Sequence, residues 1–291
     1  MSILTISDLR IQLRTADGPR PIVDGIDLAL EKGRIHGLAG ESGSGKTITA
    51  LAILGLLPES MTASGSIRLA SDAGTTELLG ASRQALSGIR GRRVAMVFQD
   101  PSTSLHPQIA IGRQLTDHMR YHLKLGKQAA RERAIELLER VKVPDPAAAL
   151  KKFPHQFSGG QRQRIAIAVA LACGPDVLLA DEPTTALDVT VQAGVLQLLR
   201  ELVDDSGVSV LLVTHDLGVM SAVADEVTVM RSGVIVESAP REQLFTHPQH
   251  DYTKSLLAAL PGSTLEAAPE VLVQELLAAP AKTAPTREDA S

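Results

Sequence analysis

The stretch Gly40-Glu41-Ser42-Gly43-Ser44-Gly45-Lys46-Thr47 restricts the fold more than any other in the chain. An apolar run, Arg34 to Ala39, leads into it, and a helix-forming run, Lys46 to Leu57, leaves it and stops at Pro58. Strand, glycine loop and helix in that order match G-x-x-x-x-G-K-[ST], a pattern with a physical purpose. Gly40, Gly43 and Gly45, with Ser42 and Ser44 between them, let the backbone wrap an anion. Lys46 reaches the outer phosphate oxygens, and Thr47 offers a hydroxyl to Mg²⁺. An α/β fold with a parallel core sheet is expected around such a loop.

The rest of the chain supplies the parts. Ile3 to Leu13 and Ile26 to Leu30 alternate at period two, as antiparallel strands of an opening sheet separated by a turn-rich stretch, Asp17 to Pro21. Gly65 to Leu69 and Arg93 to Phe98 are further strands, the second ended by Gln99. From Thr116 to Val143 the pattern is helical: Ala134, Leu137, Leu138 and Val141 share one face, and Glu136 and Arg140 pair at i,i+4 on another. A helical subdomain, about 100–165, is therefore expected as an insertion. Val177 to Ala180, Val208 to Thr214 and Glu226 to Met230 are buried strands interleaved with a helix, Val191 to Asp204, and Val234 to Glu237 closes the sheet. One domain is expected over 1–262. Residues 263–291, rich in Ala, Pro and Glu, are expected to form a mobile tail, helical only from Val271 to Ala279.

Composition excludes several classes. With 44% hydrophobic residues in 291, the chain can bury a large core, and a formal charge of −4 argues against nucleic acid or anionic lipid as partner. The single cysteine, Cys173, allows neither an internal disulfide nor a four-cysteine metal site, and fits a reduced cytosolic protein. Its longest apolar runs, Ile48 to Leu57 and Ile165 to Cys173, are short of the roughly 20 residues needed to cross a bilayer. The N-terminus lacks the basic and apolar segments of a signal peptide.

Four further elements carry chemistry. Asp181 and Glu182 end an apolar strand, and two adjacent acids there are costly unless a cation is held. Asp181 is expected to hold Mg²⁺ and Glu182 to polarise an attacking water. His215 ends the next strand, close enough to the nucleotide crevice to bond a γ-phosphate, and the side-chain oxygen of Gln99 suits Mg²⁺ or the water. Ser158-Gly159-Gly160-Gln161 opens a helix running to Cys173, with Ser158 as N-cap, so that backbone N–H groups face an anion. That anion reads as the γ-phosphate of ATP on a second copy of the fold. His247 and His250 are expected to flank a surface turn that docks the last helix rather than to hold a metal, and Arg90, Arg92 and Arg93 to make a solvated basic edge rather than to meet phosphate.

The order of these elements, with Ala186-Leu187-Asp188 after the acidic pair, resembles ATP-binding cassette (ABC) proteins. Three segments are more specific. Val97-Phe98-Gln99-Asp100-Pro101-Ser102-Thr103-Ser104-Leu105, Asp181 to Thr190 and His250-Asp251-Tyr252-Thr253-Lys254-Ser255-Leu256-Leu257 look like ATP-binding subunits of dipeptide and oligopeptide importers. Covering Leu4 to Pro261, the resemblance implies an ABC-type P-loop domain with an antiparallel β subdomain and the inserted helical subdomain. It implies a head-to-tail dimer in which Ser158 and Gly160 of one subunit close over ATP at Lys46 and Thr47 of the other.

The same resemblance implies catalysis by Glu182, His215, Lys46 and Gln99, with Mg²⁺ at Thr47, Gln99 and Asp181. The implied partners are two permease subunits, a second ATPase subunit that is commonly a paralogue, and an extracytoplasmic binding protein; the place is the cytoplasmic face of the membrane. Two departures stand out. No Phe, Tyr or Trp precedes Phe98, so adenine must rest on Arg14 or an apolar surface such as Val23. The chain also lacks the cysteine-bearing continuation of many relatives, so no iron–sulfur cluster is expected. A soluble ABC ATPase of repair, translation or cluster assembly is the alternative; long coiled-coil or zinc insertions and a second cassette, which would mark it, do not occur.

Overall fold

The computed structural model describes residues 1–72, 74–100, 104–185 and 187–260. The helix expected at Val271 to Ala279, the tail, and Pro101, Ser102, Thr103 and Ala186 of the quoted motifs lie outside them. Among the described residues, ten strands form two sheets. An antiparallel sheet, in the order β2-β1-β4-β5, comprises β1 (Ser2–Thr15), β2 (Gly18–Glu31), β4 (Met61–Ser71) and β5 (Gly74–Glu77). The second runs β10-β9-β3-β8-β7-β6. It comprises β3 (Ile35–Ala39), β6 (Val94–Val97), β7 (Val177–Asp181), β8 (Ser209–Thr214), β9 (Glu226–Arg231) and an antiparallel edge strand, β10 (Val234–Pro240).

The helices are α1 (Lys46–Ile53), α2 (Arg83–Ile89), α3 (Ile111–His122), α4 (Lys127–Arg140), α5 (Pro146–Ala149), α6 (Gly159–Leu171), α7 (Val189–Ser206), α8 (Leu217–Val223), α9 (Arg241–Thr246) and α10 (Asp251–Ala258). The second sheet divides the core by strand alternation. Leu178, Ala180, Val210 and Leu212 face a cluster shared with α3, α4, α6 and α7, whereas Val177, Leu179, Leu211 and Val213 face α1 and the antiparallel sheet. A sheet covered on both faces reads as continuous apolar runs, which is how β7 and β8 look in sequence.

Three local expectations are corrected. The hairpin turn is only Ala16-Asp17, and β2 starts at Gly18, because a two-residue loop matches the twist of the paired strands. Helix α1 ends at Ile53 rather than Leu57. Gly55 takes φ +61, its N–H bonds the Ala52 carbonyl, and the Leu56 N–H reaches back to the Leu51 carbonyl, a Schellman stop that acts before Pro58 can. Arg140 pairs not with Glu136 but across to Asp205 on α7, at 3.8 Å.

Buried within β3, His36 is 3% exposed with Nε2 2.8 Å from Thr228 Oγ1, and burial pushes its pKa down to about 4. Glu226 lies 3.7 Å from Nδ1 and is well solvated, so it does little to offset that. The unfolded imidazole titrates near 6.5, so unfolding takes up a proton between about pH 6.5 and 4. Stability is therefore expected to be full above that window and to fall as pH drops through it, by about 3 kcal/mol in all. Thermal melts should show it, with a shallower slope in His36→Gln; an equal slope in that variant would refute the assignment.

Candidate active site

Parallel pairing brings four strand ends to one edge. Ala39 of β3 pairs Thr214 of β8, Val213 of β8 pairs Asp181 of β7, and Ala180 of β7 pairs Val97 of β6. The glycine loop, His215, the acidic pair and Gln99 follow these ends directly, at the carboxyl edge where open α/β sheets bind ligands.

The loop is shaped by its glycines and held by its lysine. Gly40 sits at φ +147, where a Cβ would come within 2.2 Å of the Met230 carbonyl oxygen, so no other residue fits. Gly43 and Gly45 also take positive φ, Ser42 and Gly43 are exposed, and Ser44 is 4% exposed. Lys46 Nζ donates to the Gly40 carbonyl at 2.7 Å, the Glu41 carbonyl at 2.8 Å and Ser44 Oγ at 3.3 Å. Burial lowers its pKa, and Glu182, Asp181 and Glu41 partly restore it. An ammonium so enclosed has three acidic neighbours and no ion pair within 4 Å among the described residues, the setting an anion would complete.

Thr47 Oγ1 donates to Asp181 Oδ1 at 3.1 Å. Asp181 is 4% exposed, and burial raises its pKa against the Thr47 hydrogen bond and the charge of Lys46. A buried carboxylate beside a hydroxyl is a hard oxygen donor set, and its desolvation is what a divalent cation offsets, so these residues fit Mg²⁺.

Glu182 takes φ +45, an uncommon conformation that turns its side chain off the strand line, with its N–H still bonded to the Val213 carbonyl. Its Oε1 is 2.8 Å from His215 Nδ1; its Oε2 accepts from Gln99 Nε2 at 2.8 Å and Thr185 Oγ1 at 2.9 Å. Burial pushes its pKa up, but the hydrogen bonds of His215 and Thr185 and the charges of His215 and Lys46 outweigh it and hold the carboxyl below its usual range. A carboxylate offers about four lone-pair sites; three are taken here, which leaves room for one water.

Ser158-Gly159-Gly160-Gln161 closes its hydrogen bonds on its own turn. Ser158 Oγ accepts from Gln161 N at 3.3 Å, and Gln161 Oε1 accepts from Ser158 N at 3.0 Å, a capping box. The N–H groups of Gly159 and Gly160 have no acceptor within the helix. A Cβ on Gly160 would meet Val191 Cγ1 at 2.4 Å, so α6 starts flush against α7. Hydrogen bonds thus tie Thr47 to Asp181, and Gln99 and His215 to Glu182, while Lys46 is bonded within the glycine loop beside them; among the described residues none links these groups to the Ser158 turn.

Thr185 is a member that the sequence reading assigns no role, although it stands in the quoted Asp181 to Thr190 motif. Of the proposed adenine supports, Val23 is 1% exposed beneath Gly45 and presents no stacking surface, and the Arg14 guanidinium bonds the Glu59 carbonyl. The basic edge is structural: Arg90 bonds the Leu54 and Gly55 carbonyls at 2.7 and 2.8 Å, and Arg93 bonds Asp176 and the Ala70 carbonyl, both at 2.7 Å. His250 caps α10, its Nδ1 accepting from Tyr252 N at 3.1 Å.

A protein-family profile described as ABC transporter matches residues 23–185, and one described as AAA domain, putative AbiEii toxin, Type IV TA system, matches residues 150–221. The chain is similar to the dipeptide transport ATP-binding protein DppD of Bacillus subtilis (strain 168), at 44% identity over 91% of this chain and 79% of that protein. Similarity to the oligopeptide transport ATP-binding protein OppD of the same organism is 43% over 96% and 76%. Among solved structures, it resembles the ATP-binding cassette MJ0796 in a dimeric post-hydrolysis state bound to ADP and phosphate, with a TM-score of 0.71 and 25% identity over 82% of this chain and 98% of that one.

Proposed function

The chain belongs to the ABC transporter ATP-binding family, and from that premise we propose that it is the ATP-hydrolysing subunit of an importer of dipeptides, oligopeptides or a related small solute. The observation that carries the mechanism is the Glu182 carboxylate, pinned by His215, Gln99 and Thr185 beside a loop whose lysine is enclosed. Residues 40–47 cradle the phosphates, with Lys46 on the β and γ oxygens. Thr47 and Asp181, with Gln99 beside them, would hold Mg²⁺, which would supply charge neutralisation at those oxygens.

Glu182 accepts a hydrogen bond from the attacking water and orients it in line, and His215, bonded to Oε1, fixes the carboxylate and reaches the γ-phosphate. A carboxylate whose pKa is held low is a weak base, so its work is chiefly orientation, which suits a loose phosphoryl-transfer transition state. The free N–H groups of Gly159 and Gly160 and the Ser158 hydroxyl close over the nucleotide of a second ATPase subunit. Because that closure needs two cassettes, binding and hydrolysis alternately join and release them.

No described helix is long and apolar enough to cross a membrane; in the reading proposed here, permease subunits receive the work. An apolar groove of about 250 Å³, lined by Leu54, Leu56, Arg90, Phe98, Leu105 and His118, opens between the β6 end and the α3–α6 side. Leu56 and Phe98 are 43% and 39% exposed there, and a permease segment at the cytoplasmic face is the occupant we assign. Leu56→Glu is expected to cut co-purification with the permease pair about tenfold while ATP affinity is kept; undiminished recovery would move the docking site elsewhere.

An extracytoplasmic binding protein would choose the solute. Cells that lack this chain should lose energy-dependent uptake of labelled di- and oligopeptides, restored by the wild type and not by Lys46→Ala. Restoration by both would refute an ATP-driven role, and intact uptake without the chain would refute the peptide assignment.

A further inference from the structure

Helix α10 makes a contact that ATP hydrolysis as described above does not use. Tyr252, in its first turn, is 6% exposed, and its hydroxyl accepts from the backbone N–H of Glu41 at 3.3 Å, across 211 positions of sequence. The ring lies under the guanidinium of Arg231, 4.7 Å from the ring centroid. Glu237 of β10 fixes the approach to α10, accepting from the N–H groups of Gln249 at 2.8 Å and His250 at 3.0 Å. Gly233, in the turn between β9 and β10, donates to the Ser44 carbonyl at 3.1 Å. The phosphate loop is thus braced at two points by the C-terminal part of the fold.

The geometry of one peptide unit gives the contact at Tyr252 a purpose. In a trans peptide the C=O and N–H point in opposite directions. The Gly40–Glu41 unit presents its carbonyl to Lys46 Nζ at 2.7 Å and its N–H to Tyr252. Gly40, lacking a Cβ and at φ +147, offers little resistance to a flip of that unit. A flip would withdraw an acceptor from Lys46 and turn an N–H toward the ammonium.

We propose that Tyr252 is a positioning residue for nucleotide binding, its hydroxyl holding the Gly40–Glu41 peptide in the orientation that aims Lys46 into the phosphate cradle. This rests on the reading of residues 40–47 as that cradle. Tyr252→Phe keeps the ring under Arg231 and removes only the hydroxyl, and with it both the bond from the Glu41 N–H and the approach to the Glu41 carboxylate; exchange at the Glu41 amide reads the first of these.

In the full chain, calorimetry with ADP and Mg²⁺ should show a three- to tenfold higher Kd, roughly the loss of one hydrogen bond, with the melting temperature unchanged. Hydrogen exchange should speed up at the Glu41 amide and not in the β7–β8 ladder. In the assembled transporter, KM for ATP should rise by about the same factor with kcat nearly kept. Lys46→Ala, measured alongside, separates the possible failures. An unchanged Kd in Tyr252→Phe while Lys46→Ala loses affinity overturns this proposal alone, as does a higher Kd with unaltered Glu41 exchange. No loss of affinity in Lys46→Ala overturns the cradle reading and this proposal with it.

Discussion

Glu182→Gln is expected to lower steady-state ATP hydrolysis by the assembled transporter about 10²- to 10⁴-fold, the usual worth of a positioned acid or base, while ATP binding is retained. The substitution is close to isosteric and the backbone at φ +45 is unchanged. A glutamine oxygen can stay with Gln99 and Thr185, and its NH₂ can face His215 Nδ1, because an imidazole nitrogen accepts in one tautomer and donates in the other. What disappears is the negative charge that orients the water. The closed pair should therefore accumulate with ATP trapped, visible as a dimer-sized species by light scattering and as loss of phosphate release. Hydrolysis at the wild-type rate would remove Glu182 from the mechanism.

The second large effect is expected at Lys46. Hydrogen bonds to charged groups contribute about 1.5–3 kcal/mol, so Lys46→Ala should weaken ATP binding roughly 10- to 100-fold. Part of the loss is internal: the same ammonium ties the Gly40 and Glu41 carbonyls together, and without it the loop itself loosens. Calorimetry distinguishes this from the Glu182 phenotype, since here affinity falls before any chemistry. Unchanged affinity would show that the enclosed lysine faces something other than the nucleotide.

Much of the site was legible because its chemistry sits at the ends of buried strands, where apolar runs such as Val177 to Ala180 and Val208 to Thr214 announce both the strand and its end. Parallel pairing then leaves those ends no other place to be than side by side. Ser158 was equally legible, since a capping residue followed three positions later by Gln161 is a local signal that the capping box realises.

What was not legible is tertiary. Arg140 had a suitable acid one turn away and took Asp205 on another helix instead. The Tyr252 segment was visible as a family motif, but nothing local in it indicates a loop 211 positions away. Gly55 is a different case: two helix stops stand in the sequence, and the glycine, lying nearer the helix, acts before Pro58.

The edge on which the catalytic groups stand has a mechanical meaning. β8 lies between β3 and β7, with every residue from Ser209 to Thr214 buried and Val210 to Val213 paired on both sides. Shearing Thr47 away from Asp181 would thus mean breaking a solvent-free ladder. A motor so built cannot do its work by deforming its own combustion chamber. The stroke has to be a movement of whole bodies, with the cassette travelling as a stiff piece and the compliance placed where helices meet their neighbours.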